Sequence, residues 1–409
     1  MVNVITADLV PLEKRAVYLG LVSLAGAFGL CSGALIGGAV SEQTTWRWIF
    51  YINLPVCIPT SLAIYFFLHS KTQNKFSLEK VKAFDWMGMI ILTGSLIGVL
   101  YGVTSGGVLY TWSSAKILSS LIIGSFGIGM TMLYEGFVAS APLIPPRIFQ
   151  RRTASLGYLT TWCQALVLWA YAYFITLYFV VSKRHSLIGS AVASLPALVM
   201  VTFSAALGGV AMTLLGSFKW INTLGAACLT IGFALMSRLD VFSSIAEQAG
   251  FQIIAGIGGG ILFPGRLMAV QAAQEVGDVT IATAIVSFFT SLGQSFGVAI
   301  GDAVFQNRWA VEVEKHALEG FIPPKFIISS REAEQTADII GKYPVHVQDL
   351  YRAIMASTIS VVWIVVATFS GVAFIACLAS ENLPLRKWLT ESSDLDESID
   401  MERNKEADN

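Results

Sequence analysis

The sequence predicts an all-α membrane protein with about ten transmembrane helices, and three observations carry that expectation. Only 13% of the 409 residues are charged, 55% are hydrophobic, and the mean hydropathy is +0.67. The hydrophobic residues also gather into separate stretches of spanning length. A soluble globular chain carries about 25% charged residues, so this one has too few to coat a water-facing surface. Lipid is the solvent that fits. A net charge of −1 gives no electrostatic reason to bind nucleic acid.

A bilayer core about 30 Å thick takes about 20 apolar residues per helix. Such stretches fall at residues 16–40, 49–68, 86–106, 117–138, 155–181, 189–215, 220–236, 244–267, 281–305 and 353–379. Short loops rich in Lys and Arg mark the cytoplasmic side. Lys14 and Arg15, Lys71 to Lys82, Arg147 to Arg152, Lys219, Arg266, Arg386 and Lys387 outnumber the cations of the alternate loops. Both termini are therefore expected in the cytoplasm, and residues 307–349 outside.

Two connections differ from the rest. Pro142, Pro145 and Pro146 remove backbone donors and disfavour helix, which makes 142–154 a stiff cytoplasmic linker. Residues 381–409 are polar and acidic, and disorder is expected there. The five cysteines lie apart inside apolar runs and read as small buried hydrophobes.

An intramembrane enzyme needs a base or metal ligand inside its bundle. His69, His185, His316 and His346 all fall in loops or at span ends, so no enzymatic activity is expected. The run Gly256-Ile-Gly258-Gly259-Gly260-Ile261 has Ile where a dinucleotide fingerprint needs Gly; glycines there let helices approach closely. Gly29, Gly33 and Gly37 recur every fourth residue on one face of the first span, with Gly38 beside them. Three carboxylates lie within spans: Glu135, Glu247 and Asp302. Each needs a partner, water or a role, and Glu135 and Asp302 are the candidates for a proton relay. In the fifth of these spans Trp162, Trp169 and Tyr173 share a face, with Gln164 nearby. Aromatics with a few amides suit a cavity for amphipathic organic molecules, to which Gln252 and Gln294 can add hydrogen bonds.

The glycine face of the first span and the string Trp46-Arg47-Trp48-Ile49-Phe50-Tyr51-Ile52-Asn53-Leu54-Pro55 together resemble the fifth and sixth spans of the major facilitator superfamily. The branch resembled is that of the fungal fourteen-span drug:proton antiporters. Weaker resemblances follow at Gly106 to Ser114, Pro142 to Phe149, Tyr173 to Phe179, Ala255 to Gly260 and Ala303 to Asn307. Ala34 stands where the family usually has proline. The resemblance implies an incomplete major facilitator fold, beginning near the end of the family's fourth span. Residues 1–68 would be the remnant of the N-terminal bundle, 69–141 a two-helix insert, and 155–380 the C-terminal six-helix bundle. It further implies export of small amphipathic organic molecules or toxins, driven by a proton gradient without a cofactor, through alternating access. The expected location is the plasma membrane, with the vacuolar membrane as alternative. Gly29, Gly33, Gly37 and Gly38 would pack against the other bundle. The rival reading is a truncated, non-transporting fragment or a partner-dependent membrane subunit.

Overall fold

A computed structural model describes residues 12–67, 84–139 and 142–383. The expected end of a preceding span (1–11), most of the lysine-bearing loop after residue 67, and the tail from residue 384 lie outside the described residues. Among those described the protein is all α-helical. The elements are α1 (Leu12–Gln43), α2 (Arg47–Tyr51), α3 (Asn53–Phe67), α4 (Trp86–Ser105), α5 (Ala115–Phe137), α6 (Arg152–Leu177), α7 (Leu187–Leu215), α8 (Lys219–Met236), α9 (Ile245–Ala272), α10 (Val279–Leu318), α11 (Thr336–Ile340) and α12 (Val345–Ala379). Nine stretches of helix among the described residues are long and apolar enough to cross a membrane, with α2 and α3 acting as one. The tenth expected span lies inside α1.

Local chemistry fixes where several helices begin. Asp85 accepts the Gly88 N–H at 2.9 Å, Ser114 that of Ile117 at 3.4 Å, and Ser186 that of Gly189 at 3.1 Å. Each quenches an amide that has no carbonyl partner in a first helical turn. Ser244 and Glu247 form a reciprocal capping box at the start of α9, so the Glu247 carboxylate is committed to the helix terminus. Between α5 and α6 the prolines leave a single 3₁₀ turn, Pro146–Phe149. Gln274 donates to Ile148 O at 2.9 Å and Arg147 pairs with Asp278 at 3.0 Å. The linker is thus docked on the α9–α10 turn, and it is shorter than expected because α6 already starts at Arg152.

The core is the group α6 to α10 with α12. Glycines set its closest approaches. A Cβ at Gly258 would collide with Leu229 N and Gly225 O of α8, while Gly256 and Gly260 face the α7 backbone at Ala197 O and Val201 O. The glycine run therefore joins α9 to two neighbours at once. Gly293 and Gly297 of α10 sit on Trp162 O and Leu166 O of α6 in the same manner. Trp309, Trp363, Tyr351, Phe174 and Phe233 fill the space around these contacts.

Two features extend beyond the expected spans. Helix α10 continues past Phe305 to Leu318, held by the Arg308–Glu312 ion pair one turn apart and by buried Trp309. The outer segment then folds over the bundle. Trp309 Nε1 donates to Ile328 O at 3.2 Å, and the Tyr351 hydroxyl accepts from Ile328 N at 3.0 Å and donates to Phe326 O at 2.8 Å.

The helices before residue 139 are held more loosely. α1 lies on α7 through Gly38, where a Cβ would come within 3.0 Å of Leu187 O, and Glu42 accepts the Ile188 N–H at 2.9 Å. α4 and α5 pack on one another: Gly124 fits against the backbone of Ser95 and Val99, and Ser120 donates to Gly98 O at 2.7 Å. Asn307 fastens this pair to α10. It donates to Gly106 O at 3.2 Å and accepts from Trp112 Nε1 at 3.4 Å, across a turn that requires glycine at Gly107 (φ 76°).

Candidate functional site

Helix α6 is buried on most of its circumference and open on one strip. Trp169 is 48% and Tyr173 40% exposed, with Leu159, Ala172 and Thr176 along the same side. Trp162, half-buried, closes the strip at the inner end. It makes edge contacts with Phe296 of α10 and Phe369 of α12, at 5.9 and 5.7 Å between ring centroids. Beside α6, α10 carries Ser287, Ser291 and Ser295 exposed, and Gln294 and Asp302 half-buried. The serine hydroxyls bond back to carbonyls of their own helix, so they tolerate an apolar neighbour and can still meet a polar one.

At the outer end of this face three groups converge. Asp302 accepts from Gln306 Nε2 at 2.7 Å. Glu334, from the 3₁₀ turn Ser330–Gln335, lies beside both Asp302 and Tyr173. The structure thus joins one cavity candidate and one relay candidate through a carboxylate that the sequence reading did not single out. Glu334 lies 32 residues beyond Asp302 in a polar loop, where no hydropathy signal sets it apart.

The other candidates are placed elsewhere. Gln164 and Gln252 are both 0% exposed. Gln164 Nε2 donates to Gly259 O at 2.6 Å, tying α6 to α9. Gln252 Nε2 donates to Ala193 O at 3.0 Å, and its Oε1 accepts from the Tyr171 hydroxyl at 2.8 Å, linking α9 to α7 and α6. Both amides are struts behind the open face and not part of its surface. Gln294 lies on the open side of α10.

Glu135, 4% exposed, sits at the base of the α4–α5 pair. One oxygen accepts the Ile144 N–H at 3.3 Å; the other, like Asp85 Oδ2 across Gly88, has no partner. Among the described residues no hydrogen bond or ion pair links it to Asp302. Gly29 and Gly33 are exposed and Gly37 half-buried, and no side chain or distant backbone lies within 4 Å of a Cβ built on any of the three. Only Gly38 of that quartet meets another described helix.

The Major Facilitator Superfamily profile matches residues 1–298. MFS transporter L2 of a Phoma species is 32% identical over 404 residues, covering 98% of this chain and 65% of that protein. MFS-type transporter ucsD of an Acremonium species is 32% identical over 401 residues, 97% of this chain and 68% of its own. Efflux pump dotC of Dothistroma septosporum is 30% identical over 371 residues, 91% and 63% respectively. The chain spans about two thirds of the length of these curated relatives. With nine helical stretches of spanning length among the described residues and a profile match over most of the chain, this all-α membrane protein belongs to the Major Facilitator Superfamily.

Proposed function

We propose that the protein serves proton-coupled export of small amphipathic organic molecules, on the fourteen-span plan. The observation that carries this reading is the open α6–α10 face, where Trp169 and Tyr173 stand beside Asp302 and Glu334. Exposed rings give an amphipathic guest apolar surface, and the adjacent carboxylates and amides give it orientation. Two neighbouring carboxylates repel one another when both are ionised, which favours a proton or a cation between them. That site can therefore exchange a proton for a cationic guest. The names of the relatives, among them an efflux pump, support the direction of transport. The α4–α5 pair between the two groups of helices supports the fourteen-span plan.

Alternating access needs two helix groups that rock about a shared cavity. In these 409 residues, α1 to α3 are the described part of the group that would face α6 to α12. The protein is expected to bind an amphipathic dye and to move it at the expense of a pH gradient. Efflux of rhodamine 6G from vesicles holding this chain, with and without a pH gradient, tests that. Gradient-dependent efflux supports the reading, and efflux that is indifferent to the gradient would remove proton coupling from it. Failure of the dye to bind at all would remove the proposed face.

A further inference from the structure

At the end of the bundle expected to face the cytoplasm, α6, α8, α9 and α12 enclose a small pocket lined by Thr153, Thr160, Asn222, Arg266, Cys377 and Ser380. It has room for about one water-sized guest. Arg266 enters from α9 and is only 6% exposed. One of its five N–H donors reaches Thr161 O, at 3.3 Å, and its guanidinium lies 5.1 Å from the Phe263 ring centroid. No carboxylate lines the pocket, and none pairs with Arg266 among the described residues. The side chain of Glu381, just past Ser380, is exposed to the outside.

A cation buried without a counter-charge is strongly disfavoured. Arg308, paired with Glu312 one turn away, shows what compensation by a side chain looks like. Around Arg266 the polar groups leave donors over. Thr160 and Ser380 spend their hydroxyl protons on Leu156 O and Cys377 O. Thr153 Oγ1 accepts the Glu381 N–H at 3.1 Å, which leaves its own proton to give. Asn222 Nδ2 donates to Gly265 O at 2.9 Å, and its Oδ1 accepts no hydrogen bond.

We propose that this pocket binds a small anionic group, either free chloride or one phosphate oxygen of an anionic lipid, held by the Arg266 guanidinium and the Thr153 hydroxyl. The site is separate from the α6–α10 face and does not depend on the transport reading. Its role is to neutralise Arg266 and so lock the inner ends of four helices together.

The test is thermal unfolding of the purified chain in dodecyl maltoside, at constant ionic strength, in gluconate. Two additions are titrated separately: chloride, and phosphatidylglycerol. A saturable rise in Tm of a few degrees with either one supports the proposal, and the addition that produces it names the source. Arg266→Met, an apolar replacement of similar volume that buried ion sites often tolerate, is expected to fold and to lose the response. Ala269→Asp, which places an internal carboxylate three residues from Arg266, is expected to lose it as well. No response from the wild-type chain to either addition, or a response that persists in Arg266→Met, overturns the proposal. Should Arg266→Met fail to fold, an undiminished response in Ala269→Asp overturns it equally.

Discussion

The spans at α2–α3 and at α6 have nearly the same hydropathy, 1.6 and 1.8 over their most apolar windows, yet none of the first window is buried within the protein and 61% of the second is. Lipid accepts both. Hydropathy reports the solvent of a helix, whereas small residues and interhelical hydrogen bonds report its partners. On α6 to α10 those signals meet: Gly258 finds Leu229, Gly297 finds Leu166, and Gln252 finds Tyr171. On α1 the glycines are as regularly spaced, but Gly29, Gly33 and Gly37 have nothing against them among the described residues.

The sharpest way to break this contrast is a pair of matched substitutions. Gly258→Leu forces a side chain into the α8 backbone and is expected to cost about 3 kcal/mol or more, seen as a large fall in Tm. Gly33→Leu, with open space ahead of it, is expected to stay within about 0.5 kcal/mol of wild type. Equal losses would mean that the α1 face is covered.

Gln252→Ala should come next. It strands the Tyr171 hydroxyl and Ala193 O in a dry interface, at about 2 kcal/mol. A smaller effect is expected from Asn307→Ala, which removes both bonds from α10 to the Gly106–Trp112 turn. We expect about 1 kcal/mol together with faster protease cleavage in that turn, while α6 to α9 stay protected. Arg147→Ala should matter least. Its pair with Asp278 leaves the arginine 59% exposed, and such ion pairs contribute about 0.2–1 kcal/mol.

The spans were legible because runs of apolar residues have one stable solvent, and all ten expected segments match helices to within a few residues apart from three terminal extensions. Those extensions were hidden for a physical reason. Beyond Phe305 and before Ala353 the sequence turns polar while the helix continues on ion pairs and on buried residues such as Trp309 and Tyr351, whereas α9 runs on past Leu267 to Ala272 on buried Ala269 and Val270. The site was legible in part. Trp169 and Tyr173 could be read from spacing on one face, but an amide in a span looks the same in sequence whether it lines a cavity or braces two helices. Gln164 and Gln252 turned out to brace. Glu334 had no local signal, because its meaning comes only from the fold that brings its loop over Asp302.

A guest is expected to bind on the open face of α6 and not on the equally exposed aromatic surface of α2–α3. Rhodamine 6G affinity, followed by tryptophan quenching in nanodiscs, tests it directly for Trp169→Ala and Trp48→Ala. Loss of a ring contact worth about 1.4 kcal/mol weakens binding about tenfold. We expect that loss for Trp169→Ala and unchanged affinity for Trp48→Ala. Unchanged binding in Trp169→Ala, or an equal loss in both variants, would contradict the claim.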